Sequence, residues 1–399
     1  MIPMLSTVSA ENEKKRAQPH APCAGAGHQG SSVKTMKLGL FMMPNHPPHR
    51  SYADAHFHDL DTLVYADQLG LQEAWVGEHF TCRREPLPCP DILIAQALLQ
   101  TKQIRLGAGA FLLPYHVPAE LAHRICWLDH ISGGRFMVGI GAGGLPTDCE
   151  LFGVDGASGE NRDMMVEAFD LMVRFWTNEQ PFAHRGKHYK GGRTAGLPDH
   201  GLAFHMAPFT KPYPKIAIAG LSESSPTLRF AGLRGFIPMS LAWSPDYLRS
   251  HWEAYVEGAD AVGKPVDRNE WRVGCEIYVA ETDAEARRRI LEGSVGESWR
   301  EYMLPLLGKL NFLGACKHDQ SVPDSDVTVE YLADNVWIVG SPQTAIEKLG
   351  RLRDKVGAFG CLLQVVYDHI DELTPYRESL AAVQGEVLPA FGDMEIAAQ

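Results

Sequence analysis

Short apolar runs recur along this chain, with amphipathic segments between them. Lys37–Met43, Glu73–Gly77, Ile104–Phe111, Phe136–Gly141, Lys215–Gly220, Gly235–Ser240, Trp271–Ala280 and Phe359–Val366 are each short and mainly apolar, and Ile104–Phe111 is punctuated by glycine. That pattern predicts strands buried on both faces. The intervening segments carry helical spacing. In Pro118–Ile131 the apolar positions are Leu121, Ile125 and Leu128, and Ser132-Gly133-Gly134 stops the helix. Further helices are predicted at Phe57–Leu69, from an Asp91 cap to Gln100, at Arg162–Thr177, at Pro245–Val262, and from Ser341 to Val356. Eight such strands alternating with helices argue for an α/β fold, a (β/α)8 TIM barrel. A doubly wound open sheet explains the count less well. Two stretches break the rhythm, one after the fourth strand and one after the seventh. Phe182–Pro214 is rich in Gly, His and Pro and reads as a β-hairpin plus lid; Gly293–Asn335 is irregular. Residues 1–35 have few large apolar side chains and no apolar signal core, so they read as a disordered tail before a barrel domain over 36–399.

Composition narrows the function. A net charge of −12 gives nucleic-acid binding no electrostatic support. No apolar run reaches transmembrane length, so no membrane role is expected. None of the eight cysteines has CxxC spacing, which favours reduced thiols in the cytoplasm over disulfides or zinc. His46, His49, His56 and His58 cluster in sequence, but no Cys or carboxylate completes a familiar ligand spacing, and no metal is expected.

Chemistry is sought where the strands end, because in parallel α/β folds strand C-termini face the active site. The third and fourth strands are glycine-rich there, with Gly107 and Gly109 on one and Gly141 and Gly143 on the other. Glycines at these positions either let backbone approach a flat ligand or relieve packing, and spacing alone does not decide. No P-loop lysine follows the Gly139–Gly144 run. His79 ends the second strand with a side chain able to exchange a proton near neutrality. Ser222, Ser224 and Ser225 follow the fifth strand, ahead of Pro226 at a helix start. Hydroxyls and N–H groups there suit either a phosphate or a plain cap.

Several motifs together resemble the bacterial luciferase-like flavin monooxygenases over nearly everything after the tail. They are Gly77-Glu78-His79-Phe80, Leu128-Asp129-His130-Ile131-Ser132-Gly133-Gly134-Arg135, Glu150-Leu151-Phe152-Gly153 and Gly340-Ser341-Pro342-Gln343-Thr344. Phe41-Met42-Met43-Pro44 and Glu85-Pro86-Leu87-Pro88 are most similar to the limonene monooxygenase branch. The resemblance implies a barrel that binds reduced FMN (FMNH2), supplied by a separate NAD(P)H-dependent flavin reductase. Dioxygen would then form a C4a-peroxyflavin that oxygenates a small, mostly apolar, terpene-like cyclic substrate. It also implies a homodimer. His79 would sit beside the flavin as the catalytic group. Gly107, Gly109, Gly141, Ala142 and Gly143 would floor the ring system, and Ser222, Ser224 and Ser225 would hold the phosphate. Asn45 and His46, with Phe41, Phe80, Phe111, Tyr115 and Trp243, would line the substrate pocket. One departure stands out: Ala142 occupies the place of a flavin-contacting Arg in the luciferases, so the phosphate finds its positive partner elsewhere or does without one. A deazaflavin-dependent oxidoreductase and a non-catalytic flavin-binding protein are the alternatives.

Overall fold

A computed structural model describes residues 36–202 and 205–392; the predicted N-terminal tail lies outside them. Eight parallel strands close into a barrel in sequential order: β1 (Lys37–Asn45), β2 (Glu73–Val76), β3 (Arg105–Leu112), β4 (Phe136–Gly141), β5 (Ile216–Gly220), β6 (Ile237–Ser240), β7 (Arg272–Cys275) and β8 (Cys361–Tyr367). β8 pairs with β1 from Cys361 opposite Lys37 and closes the ring. The apolar runs are continuous because both faces are buried. Along β1, Leu38, Leu40 and Met42 pack outward against helices, while Phe41 points into the barrel with Trp75, Met137 and Leu363.

The predicted helices form around this ring. Ser51 caps Tyr52–Gln68 by accepting the Asp54 N–H at 3.1 Å. Pro118–Ser132 ends at Gly133 with φ 63°, as its Gly-Gly stop predicted. The helix over Pro90–Gln100 differs in detail. Cys89 is its cap residue, and Asp91 lies in the first turn, where its carboxylate pairs with Arg124 at 3.0 Å.

Both insertions fall where expected. The first contains an antiparallel hairpin, Phe182–Arg185 with Lys190–Arg193. The second has its own small core, including Val295, Trp299, Leu307 and Trp337. The seventh apolar run proves to be two strands. The chain leaves the barrel at Glu276, and Ile277–Val279 pairs instead with Ile338–Gly340, a strand too short to stand out in sequence.

At the strand starts the barrel interior is closed by charge. Arg272 donates to Glu73 from Nε at 3.0 Å and from Nη2 at 3.1 Å, and both residues are fully buried. Arg105 and the Trp75 indole donate to the same carboxylate at 2.8 and 2.9 Å. The opposite end is open to ligands.

Candidate active site

A cavity of about 820 Å³ lies over the C-terminal ends of the strands. Phe41, Met43, Leu241 and Val365 come from the barrel, Gly143–Pro146 from the loop after β4, and Tyr302–Phe312 from the second insertion. The lining is mainly apolar, with a few polar groups converging on it, as in sites that orient small molecules.

His79 is placed by the turn after β2. The preceding Glu78 accepts the Leu112 N–H at 2.7 Å and pairs with His116 at 2.9 Å, which pins this loop to β3. His79 Nδ1 lies 3.3 Å from Asp148 Oδ2, and Nε2 lies 3.5 Å from Glu85 Oε2. Asp148 also accepts the Thr81 N–H at 2.8 Å. Burial works to raise the Asp148 pKa, but the bonds from His79 and Thr81 hold it below the carboxylate range. Burial likewise works to lower the His79 pKa; the Asp148 bond and the charges of Glu85, Asp148 and Glu78 outweigh it, so the imidazolium form is favoured. Glu85 is pushed up by burial. Tyr302 donates to it at 2.9 Å, tying the second insertion to the His79 loop. An ionised aspartate orienting a histidine whose other nitrogen reaches a cavity can hold and move a proton.

The remaining predicted residues divide. Phe41, Asn45, Gly143 and Trp243 line the cavity with His79; the others do not. A Cβ on Gly107 would meet the Trp75 ring at 2.6 Å, and one on Gly109 would meet Trp75 Cβ at 2.8 Å, so packing around a barrel-filling tryptophan accounts for both. Gly141 abuts Leu112, and Ala142 packs on the main core. Ser225 caps Pro226–Arg234, the Ser224 N–H donates to Ser250, and the Ser222 carbonyl accepts from His251. His46 is buried with Nδ1 2.8 Å from Asp368 and Nε2 3.1 Å from Asp59. Burial opposes its charge, but the two carboxylates raise its pKa to about 9. Phe111 is in the outer core, with Arg124 over its ring at 5.9 Å. Tyr115 stacks on Phe152 at 4.5 Å, with Phe80 edge-on to both.

Sequence reading missed Asp148, Glu85, Tyr302, Glu276 and Arg162. Glu276 had a signal: it is the carboxylate in the middle of the Trp271–Ala280 run. Arg162, in the helix Glu160–Thr177, is the only Lys or Arg among the cavity-lining residues described. Its guanidinium makes no ion pair among the described residues.

A closed (β/α)8 barrel with an apolar cavity at its strand C-termini and a carboxylate-oriented histidine on the rim defines a barrel enzyme built for small molecules. The luciferase-like monooxygenase family model matches residues 36–358, and the chain belongs to that family, as its motifs indicated. It is 34% identical over 371 residues to the 3,6-diketocamphane 1,6-monooxygenase of Pseudomonas putida, covering 89% of this chain and 98% of that one. It is 31% identical over 367 residues to the limonene 1,2-monooxygenase of Rhodococcus erythropolis, covering 90% and 87%. Among solved structures it superposes on the oxygenating constituent of 3,6-diketocamphane monooxygenase, a type II Baeyer–Villiger monooxygenase in complex with FMN. The TM-score is 0.85 at 35% identity, covering 89% of this chain and 98% of that one.

Proposed function

We propose that this chain is the oxygenase of a two-component system, using reduced FMN and dioxygen to place one oxygen atom on a small cyclic substrate. The observation that carries this is the cavity: about 820 Å³, mainly apolar, with His79 on its rim. Cofactor and ligand sites span roughly 300–1,000 Å³, so there is room for a three-ring cofactor and a small second molecule. The residues present fit FMN. Gly143 and Gly144 leave the wall by β4 low, and Arg162 offers a charge for the phosphate. Asp155, also on the lip, has its carboxylate occupied by the Ala157 and Ser158 N–H groups at 3.1 Å each. When bound, reduced FMN would supply the electrons that activate dioxygen. The chain's own residues exclude water, orient the substrate and manage protons at His79.

A separate reductase is favoured because, among the described residues, the only sheets besides the barrel are two-stranded. The similar solved structure is an oxygenating constituent, which supports the same division of labour. The seven described cysteines are free thiols, which suits the cytoplasm. To test the function, the protein is mixed in air with FMN, NADH, a flavin reductase and a panel of cyclic terpenes and ketones, using ¹⁸O₂. One labelled atom in a product supports it. Oxygen recovered only as peroxide across the panel, or tighter binding of a deazaflavin than of FMN, overturns it.

Two narrower predictions follow from residues on the surface of this framework. Arg162→Ala weakens FMN binding about tenfold, ~1.4 kcal/mol, while riboflavin, which lacks the phosphate, binds as before. Fluorescence titration of both flavins measures this; equal losses for the two would remove Arg162 from the phosphate site. The second concerns assembly. Ile92, Leu99, Val117, Trp127 and Ile131 are exposed on the helices after β2 and β3 or at their ends, a density of apolar surface that favours a homodimer through this side. Light scattering should give about twice the 44.0 kDa chain mass, falling to one chain in Trp127→Glu; a monomeric parent protein refutes it.

A further inference from the structure

Glu276 stands at the point where β7 leaves the barrel, lines the cavity and is buried, with 2% of its surface exposed. Leu241, Gly274, Val365 and Phe312 are apolar members of the same lining. Two groups fix it. The Tyr367 hydroxyl donates to Oε1 at 2.6 Å, and the Trp243 indole N–H donates to Oε2. Tyr367 itself accepts the Trp299 N–H at 2.6 Å, which commits its own proton to Glu276. Every hydrogen bond to this carboxyl within the described residues therefore comes from a donor. When Glu276 carries a proton and Tyr367 keeps its donation, the acceptor left for the Glu276 O–H is a molecule in the cavity.

The other carboxylates of the lining are differently placed. Glu85 is held by Tyr302 and lies beside His79, Asp155 is held in its own turn, and Glu150 is exposed to solvent. Burial raises the Glu276 pKa to about 7, so the acid form is well populated at neutral pH. Tyr367 hydrogen-bonds it, and Cys275 and Cys316 are titratable groups that feel its charge. Burial and the charge of Glu276 push all three upward, so they stay neutral over that range. Glu85 also acts on Tyr367, from the side of the cavity that holds His79.

We propose that Glu276 is the polar anchor of the substrate subsite, its carboxyl donating a hydrogen bond to a carbonyl oxygen on an otherwise hydrocarbon ring. The chain thereby selects cyclic ketones over hydrocarbons of the same skeleton. The proposal rests on the oxygenase reading above and sharpens its substrate class. A site built to hydrogen-bond one substrate oxygen discriminates against the analogue lacking it, because the buried polar group is then left unpaired.

The test is calorimetric titration of the full chain, with oxidised FMN present, using camphor and bornane, which share a skeleton but differ by the carbonyl. The parent protein binds camphor at least about tenfold more tightly than bornane. Its camphor affinity falls as pH rises through about 7, because the anion cannot donate. Glu276→Leu removes the preference by weakening camphor alone, with bornane and FMN unchanged. Glu276→Gln keeps an N–H donor, so it retains most of the preference and loses the pH dependence. A parent protein with no ketone preference, including one that binds neither ligand, overturns the proposal. So does unchanged camphor binding in Glu276→Leu, or an equal loss for both ligands. Should Glu276→Leu fail to fold, the Gln variant and the parent pH profile decide. None of these binding outcomes depends on turnover, so the oxygenase reading stands or falls separately on the labelled-oxygen assay.

Discussion

Replacing His79 with Ala should cut product formation by about 10²–10⁴-fold while FMN binding and the fold persist, the range for loss of one positioned proton-transfer group. The size follows from the geometry: the ring is held at Nδ1 by Asp148 at 3.3 Å and reaches the cavity beside Glu85. Its pKa is raised, because the Asp148 bond and the surrounding carboxylates outweigh burial. Activity that needs the imidazolium is therefore full at low pH and falls as pH rises through that raised value, above the ordinary 6.5. His79→Ala removes this limb from the profile. Asp148→Asn keeps the ring but withdraws its strongest support, so the limb moves to lower pH and the rate falls less. Product and peroxide are quantified together across pH at saturating reduced flavin. Wild-type yields from His79→Ala, or an unmoved limb in Asp148→Asn, would take proton management away from this residue.

The barrel was legible because its signal is local. Each strand is an apolar run buried on both faces, so eight runs read as eight strands without tertiary information. The same signal erred at Trp271–Ala280. An apolar run cannot say which sheet each half joins, and the switch falls on Glu276, whose backbone carbonyl accepts from Ile338 at 3.0 Å. His79 could be singled out by its place after a strand, inside a motif. Its orienting partner could not: Asp148 is 69 residues away, in a short helix that composition does not mark. The glycines of β3 illustrate a different limit. Gly107 and Gly109 read as either ligand floor or packing relief, and only the position of Trp75 supplies a packing cause. The serines after β5 had two readings as well, and Ser225 is seen to cap a helix. Arg162 was overlooked because it sits in an ordinary amphipathic helix, and nothing in a linear pattern shows which exposed arginine borders a cavity.

Glu73→Ala should destabilise the fold by about 3–5 kcal/mol, the usual consequence of removing one member of a buried ion pair. Arg272 is 1% exposed and donates twice to Glu73; truncating the carboxylate leaves that guanidinium inside the barrel with Glu270, at 2.9 Å, as its remaining carboxylate partner, and orphans the Trp75 indole N–H. Against total stabilities of about 5–15 kcal/mol, this is enough to reduce the folded yield. The charges themselves are replaceable. Glu73→Leu with Arg272→Met fills the space with apolar atoms, and the double variant should recover part of the loss, since a well-packed substitute for a buried ion pair is often neutral or stabilising, while the Trp75 indole N–H stays unpaired. The pH dependence separates the pair from simple packing. Burial acts to raise the Glu73 pKa, but the charge and hydrogen bonds of Arg272 hold it below the ordinary carboxylate value. A depressed carboxylate contributes stability that is complete above its unfolded pKa and drains away as pH falls toward the folded one. The parent protein therefore loses urea resistance below about pH 4.5, and the double variant loses less of it there. Urea midpoints for the parent, Glu73→Ala and the double variant between pH 3 and 7 make the comparison. A Glu73→Ala midpoint equal to the parent's, or acid sensitivity undiminished in the double variant, would mean that some other contact closes the barrel floor.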